Sequence, residues 1–172
     1  MLRRPVFSAA IVGGVIALAL LVQVSMVTAK SPNKILAWGT MVGVPQALTG
    51  AASQAPLRGI SGGGIPWMLT RGQGELSSNG HLEIEVQGLV LAAGGSAGSN
   101  PVGSFRAIVS CVNGDGSFDN ILTDAFPATT GPASAGGGDS DIETDVTLPS
   151  PCIAPIVFVT SPTGAWFAAT GN

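Results

Sequence analysis

The sequence is poor in charged residues, in aromatic residues and in the side chains that most enzymes use. Of its 172 residues only 10% are charged and 5% are aromatic, tyrosine is absent, and His81 is the one histidine. Seven basic residues stand against ten acidic ones. This balance excludes nucleic acid as a partner, because a nucleic-acid-binding protein needs a basic face to meet the phosphates. The lack of tyrosine counts against a dedicated carbohydrate platform.

Long helical patterns and nucleotide-binding motifs are also missing. No stretch after residue 29 sustains a 3.6-residue apolar period, which excludes a helical bundle. The chain has no phosphate-binding loop, no dinucleotide fingerprint and no CxxC pair. We therefore expect no cofactor.

The first 29 residues have the pattern of an export signal. Arg3 and Arg4 form a positive start, residues 6–27 are apolar, and Ala29 ends a run of small residues suited to cleavage. An uncleaved membrane anchor is the alternative, since about 20 apolar residues can span a bilayer. Either outcome predicts a secreted or extracytoplasmic protein that touches a membrane only through this segment. Loss of both arginines leaves five basic residues against ten acidic ones, a net charge of about −5.

The rest of the chain has the pattern of short β-strands. Ser104–Val112 alternates, with Phe105 and Cys111 among the residues of its apolar face. Ile153–Thr160 is apolar on both faces, which predicts a central strand beside or facing Ser104–Val112. Asn79-Gly80 predicts a hairpin turn before a return strand over residues 81–91. Together these patterns predict an antiparallel β-sandwich of the immunoglobulin-like or Greek-key type.

Glycine and proline suggest where this domain begins. Residues 30–64 are predicted to be a leader that contains a possible first strand at 35–44 and a linker rich in Gly, Ala and Ser. The sandwich domain is predicted over 65–172, with a first firm strand at 65–70 and a turn at 71–74.

Cys111 and Cys152 are the only cysteines. In an exported protein they are predicted to form a disulfide that closes a loop of about 40 residues. Two buried free thiols are the alternative.

His81 is the one side chain that could anchor catalysis. His81, Glu83 and Glu85 project from one side of the predicted return strand, and such an H-x-E pattern can offer two ligands to one zinc ion. A solvated acidic strand face explains the same pattern and is the interpretation we favour.

Two further groups are candidate binding residues. Asn113, Asp115, Ser117 and Asp119 have the spacing of the first ligands of a calcium loop, but the glycine and the terminal glutamate of that loop are missing. A polar hairpin loop is the alternative. Trp67 and Trp166 could anchor a partner if they are exposed, or could fill the core if they are buried.

The chain resembles a group of uncharacterised exported bacterial all-β proteins. The residues that carry the resemblance are the segments 63–67, 82–90, 105–111, 148–155 and 164–171. The resemblance implies a small exported all-β protein and brings no activity with it.

Three functions remain open. The leading hypothesis is an exported, non-catalytic protein of the cell envelope or the extracellular space, with a structural or binding role and a partner found there. The first alternative is a secreted hydrolase or metal-dependent enzyme that uses His81 with nearby carboxylates. The second is a calcium-stabilised adhesion module.

Overall fold

The computed structural model describes residues 32–49 and 56–170. The predicted export segment 1–29 lies outside the described residues. Over the two described ranges the protein is all-β, as predicted, and they contain no helix long and apolar enough to cross a membrane. Two single turns of 3₁₀ helix occur there, at Gln46–Leu48 and Ala133–Ala135.

The strands of these ranges are numbered in chain order. They are β1 Lys34–Trp38, β2 Met41–Gly43, β3 Trp67–Met68, β4 Arg71–Ser77, β5 His81–Gln87, β6 Val90–Leu91, β7 Ser99–Asn100, β8 Ser104–Val112, β9 Phe118–Leu122, β10 Phe126–Pro127, β11 Gly131–Pro132, β12 Ser140–Asp145, β13 Ile153–Thr160 and β14 Trp166–Thr170.

The strands form two larger sheets and two short ladders, all antiparallel. The four-stranded sheet has the order β1-β4-β5-β12. The six-stranded sheet has the order β10-β8-β13-β14-β2, and β9 also pairs with β8. The short ladders join β3 to β6 and β7 to β11. Some consecutive strands, such as β4 and β5, therefore pair within one sheet, whereas others, such as β1 and β2, lie in different sheets.

Strand β8 lies at the centre of the six-stranded sheet. Its apolar face is fully buried, with Phe105 and Cys111 both at 0% exposure. Ser110 on the other face is buried as well, because β8 is flanked by β13 on one side and by β9 and β10 on the other. The predicted bounds of β8 and β13, and their adjacency, are confirmed.

One core cluster draws buried side chains from both larger sheets. Leu82 and Ile142 come from the four-stranded sheet, and Phe105 and Phe158 come from the six-stranded sheet. Burial of such side chains contributes roughly 1.5–3 kcal/mol each relative to exposure, so this cluster is the main stabilising element of the fold.

The folded region begins well before residue 65. Strand β1 pairs with β4, strand β2 pairs with β14, and Val44 is completely buried. The segment expected to be a leader and linker therefore supplies one strand to each larger sheet. The single strand expected at 35–44 is split in two, because β1 and β2 belong to different sheets.

The turn predicted at residues 71–74 is wrong, since Arg71–Ser77 is strand β4. Its glycines do not bend the chain but allow close packing. A Cβ atom on Gly72 would press on the side chains of Met41 and Leu69, and one on Gly74 would overlap the ring of Trp38. Glycine inside a strand is here a sign of close approach by a neighbour.

Candidate functional site

The outward face of the four-stranded sheet carries most of the acidic side chains. The inward residues of β5 and β12, such as Leu82, Ile84 and Ile142, are buried, so the alternate residues point to solvent. Six of the ten acidic residues of the chain lie on this face: Glu75, Glu83, Glu85, Asp141, Glu143 and Asp145. The face is therefore strongly negative.

Strand register arranges these acids in two rows that cross the sheet. In the first row Glu75 lies opposite Glu83, and Glu83 lies opposite Glu143. In the second row Gln73, Glu85 and Asp141 are aligned in the same way. Like charges directly opposite each other destabilise a sheet. Such a row lowers the stability of the fold, and arrangements that lower stability in this way are expected mainly at functional sites.

A shallow trough of about 650 Å³ lies between the two rows. Its floor follows the intervening register row, Trp38–Gly74–Ile84–Ile142, and the two rows of polar side chains form its walls. Rows two residues apart along a strand are separated by roughly 6.6 Å. Five carboxylates line this space: Glu75, Glu83, Glu85, Asp141 and Glu143.

The polar groups of the trough are partly tied to one another. Lys34 forms an ion pair with Glu75 at one end of the first row. In the second row Glu85 accepts hydrogen bonds from the amides of Gln73 and Gln87, the latter at 2.6 Å. Arg71 donates from Nε to Gln73 Oε1 at 3.1 Å. Of these two basic side chains only Lys34 contacts a lining carboxylate, so the trough remains net negative.

His81 is placed between two carboxylates beside the first row. Its Nε2 lies 2.9 Å from Glu83 Oε1, and its Nδ1 lies 3.0 Å from Asp145 Oδ1. These hydrogen bonds, first that to Glu83 and then that to Asp145, raise the pKa of His81 above its ordinary value. Glu83 is the partner that the H-x-E pattern indicates, whereas Glu85 on the same face accepts hydrogen bonds from the amides of Gln73 and Gln87.

One group of side chains on this face could hold a metal ion. One ligand atom from each of His81, Glu83 and Glu143 can be chosen so that all three lie within 4.8 Å of one another. The sequence pattern points to His81 and Glu83 but does not reveal Glu143 or Asp145. The clean alternation over residues 139–148 predicts a strand with an acidic face, yet only the register of β12 on β5 brings that face to His81.

The predicted calcium loop is closed by its own hydrogen bonds. Asp115 Oδ1 accepts from the backbone N–H of Ser117 at 2.9 Å and from its hydroxyl at 2.7 Å, and Asn113 Nδ2 donates to Ser117 Oγ at 3.0 Å. The bonds from Ser117 lower the pKa of Asp115. Asp119 lies in β9 opposite Cys111. The structure brings Asn113, Asp115 and Ser117 together as a polar hairpin turn.

The two tryptophans considered as binding anchors are buried, so the core-filling alternative describes both of them. Trp67 is 5% exposed and stacks on Phe167 with ring centroids 3.9 Å apart. Trp166 is 3% exposed and meets Phe158 edge to face. Both rings fill the core, because their flat apolar surfaces bury more area there than other side chains could.

The structure brings Cys111 and Cys152 to disulfide distance, with Cα atoms 4.9 Å apart. The sequence separation is 41 residues, and the pair joins β8 to the segment that leads into β13. The two cysteines therefore link neighbouring strands of the six-stranded sheet.

Comparisons of the chain with protein-family models, with curated proteins and with solved structures found no match. Fold and site together define an all-β protein with an acidic sheet face. Its function is inferred from the side chains of that face.

Proposed function

We propose that this is an exported, non-catalytic β-sandwich protein of the cell envelope or the extracellular space, and that it binds a cationic ligand in the trough. The observation that carries the proposal is the lining of the trough by five carboxylates in two registered rows. Opposed like charges are relieved when a cation binds between them, so the ligand supplies the charge that the sheet lacks.

The sandwich part of the proposal is supported by the shared core. Buried residues of the four-stranded and six-stranded sheets belong to one cluster, as they do when two sheets pack face to face about 10 Å apart. The β5–β12 pairing also joins strands that are far apart in sequence, which is the kind of connection that a Greek-key or immunoglobulin-like topology makes.

Export is supported by two features. The signal-like pattern of residues 1–29 is typical of secreted chains, and a cysteine pair at disulfide distance suits an oxidising compartment.

The non-catalytic assignment is supported by the state of His81. Both ring nitrogens face carboxylates at 2.9–3.0 Å. A general base needs a ring nitrogen directed at the proton that it removes from the substrate. The hydrolase alternative would require one of these two contacts to open.

The experiment measures binding of a fluorescent lysine oligomer by anisotropy at low salt. The trough variant combines Glu85→Gln with Asp141→Asn and removes two charges of the second row. The matched control combines Asp119→Asn with Asp124→Asn and removes two exposed charges from β9 and the residues after it. At about 0.5 kcal/mol for each exposed pair, we expect the trough variant to bind about fivefold more weakly.

The control variant is expected to bind like the unaltered protein. An equal loss in both variants would mean that the oligomer senses only net charge, and the trough would then not be the binding site. Melting curves of both variants verify that they remain folded.

A further inference from the structure

We propose that His81 Nε2 and the carboxylates of Glu83 and Glu143 bind a divalent transition-metal ion of the zinc class at the margin of the trough. This inference deepens the proposed function, on which it rests, by naming one cation that the acidic face takes. The ligand atoms of the three residues all lie within 4.8 Å of one another, and Nε2 is 2.9 Å from Glu83 Oε1.

The spacing of these atoms suits a small metal ion. Zinc binds imidazole nitrogen and carboxylate oxygen at about 2.0–2.2 Å, so two ligand atoms of a tetrahedral site are roughly 3.3 Å apart. The Nε2–Oε1 distance of 2.9 Å is already close to that value. Glu143 is exposed, and within the described residues no hydrogen bond or ion pair holds its carboxylate. The proposed site requires the Glu143 side chain to move its carboxylate closer to the other two ligands.

The backbone fixes the relative positions of the three ligands. Glu83 and Glu143 are direct partners in the β5–β12 ladder, and His81 lies two residues before Glu83 on the same face. Residues that share one face of a ladder have Cβ atoms about 5 Å apart across the strands. Side chains on two paired strands are positioned more precisely than side chains on loops, so less conformational freedom is lost when the metal binds.

Asp145 is the positioning residue of this site. It lies opposite His81 in the ladder and meets Nδ1 at 3.0 Å, which leaves Nε2 directed toward Glu83. Metal-binding histidines almost always donate their second ring N–H to a carboxylate, a backbone carbonyl or water, which fixes the tautomer and orients the ring. The structure thus contains both the ligand set and the support for its histidine.

The ligand types select the class of metal. Imidazole favours zinc, copper, nickel and iron, whereas calcium and magnesium prefer oxygen ligands alone. Three protein ligands leave a fourth tetrahedral position for water or for a donor group of a bound partner.

The test is calorimetric titration of Zn²⁺ into the tag-free folded protein. We expect His81→Ala and Glu143→Gln each to weaken binding at least roughly tenfold. Asp124→Asn is the matched control, because Asp124 is an exposed carboxylate that lies outside the four-stranded sheet, and it should leave zinc affinity unchanged. Asp145→Ala should weaken binding, and Asp145→Asn, which keeps an acceptor for Nδ1, should restore part of it.

A second measurement uses Co²⁺ in place of Zn²⁺. Tetrahedral coordination gives Co²⁺ intense visible absorption, which we expect with the unaltered protein and not with His81→Ala. If His81→Ala melts abnormally, His81→Gln takes its place in both measurements.

The possible outcomes separate the two proposals. Absence of zinc binding, or equal binding by the His81→Ala and unaltered proteins, would overturn the metal site. The lysine-oligomer assay depends on Glu85 and Asp141 instead, so failure of the metal site leaves its result intact. Zinc binding that requires His81 and Glu143 would support the site even if the oligomer did not bind.

Discussion

His81 carries more of the local chemistry than any other residue of the acidic face. Its two ring nitrogens contact carboxylates from different strands, Glu83 on β5 and Asp145 on β12. Both contacts favour the protonated ring, so the pKa of His81 is raised above 6.5. A raised pKa in the folded protein stabilises the fold fully below the unfolded value of about 6.5, and this contribution disappears as pH rises through the folded pKa.

The pKa of His81 can be measured directly, because the chain has no other histidine. We expect an NMR titration of the tag-free protein in metal-free buffer to give a pKa above 6.5. Glu83→Gln and Asp145→Asn should each lower it, Glu83→Gln by more, since the Glu83 bond is the larger cause. Glu85→Gln should change it least. A titration at or below 6.5 in the unaltered protein would contradict the two hydrogen bonds.

Sequence reasoning reaches part of this residue-scale arrangement. The H-x-E pattern correctly places His81 and Glu83 on one face, because alternation along a strand is a local property. Asp145 and Glu143 could not be paired with them, since a shift of one residue in register would turn their side chains to the other face. Trp67 and Trp166 are ambiguous in the sequence for a related reason, because burial depends on which sheet packs over the ring.

At the scale of elements, the β4–β5 hairpin depends on Gly80. Its φ of +92° lies in the left-handed region, and its N–H donates to the carbonyl of Ser77 at 2.9 Å. Its own carbonyl accepts from Val146 N–H at 2.9 Å, so the chain just after β12 presses against this turn. A Cβ atom here would overlap the carbonyl oxygen of Val146.

Gly116 offers a matched comparison for Gly80. Its φ is +86°, but a Cβ atom at this position would meet no other part of the chain within 4 Å, so substitution there adds backbone strain alone. We expect Gly116→Ala to cost about 1 kcal/mol of unfolding free energy. Gly80→Ala should cost roughly 1–3 kcal/mol more, because overlap with Val146 is added to the same strain.

Urea unfolding of both glycine variants measures the difference. Similar losses for Gly80→Ala and Gly116→Ala would show that the contact with Val146 is relieved without cost. A normal slope of free energy against urea in both variants is the control that they unfold from comparable states.

Elements can be predicted from the sequence where the signal is local. The bounds of β8 and β13 follow from alternation and from a two-sided apolar run, and Asn79-Gly80 correctly marks a hairpin. The first half of β4 escapes prediction because Gly72 and Gly74 resemble turn residues. Their role becomes visible only when Met41 and Trp38 are seen packed against them.

At the scale of the whole molecule, an apolar core supports a face that disfavours folding. Two sheets share one cluster of buried side chains, while six acidic residues crowd the outer surface of the four-stranded sheet. Lys34 offsets part of the repulsion through its ion pair with Glu75, and His81 does so through Glu83 when its ring is protonated. Exposed pairs of this kind contribute little each, so the stability that tolerates the acidic face comes from the core and from covalent linkage.

Covalent linkage of the two cysteines can be tested separately from the core. Cys111 is completely buried in β8, and Cys152 lies next to the start of β13, 41 residues further along the chain. Non-reducing mass spectrometry of the purified protein should show the two cysteine-containing peptides joined. Closing a loop of this length restricts the unfolded chain, and the Cys111→Ala/Cys152→Ala variant is expected to lose up to about 4 kcal/mol of unfolding free energy. Reductant should destabilise the unaltered protein and leave the double variant unchanged. Recovery of both residues as free thiols would remove the link between β8 and β13, and the core alone would then have to sustain the acidic face.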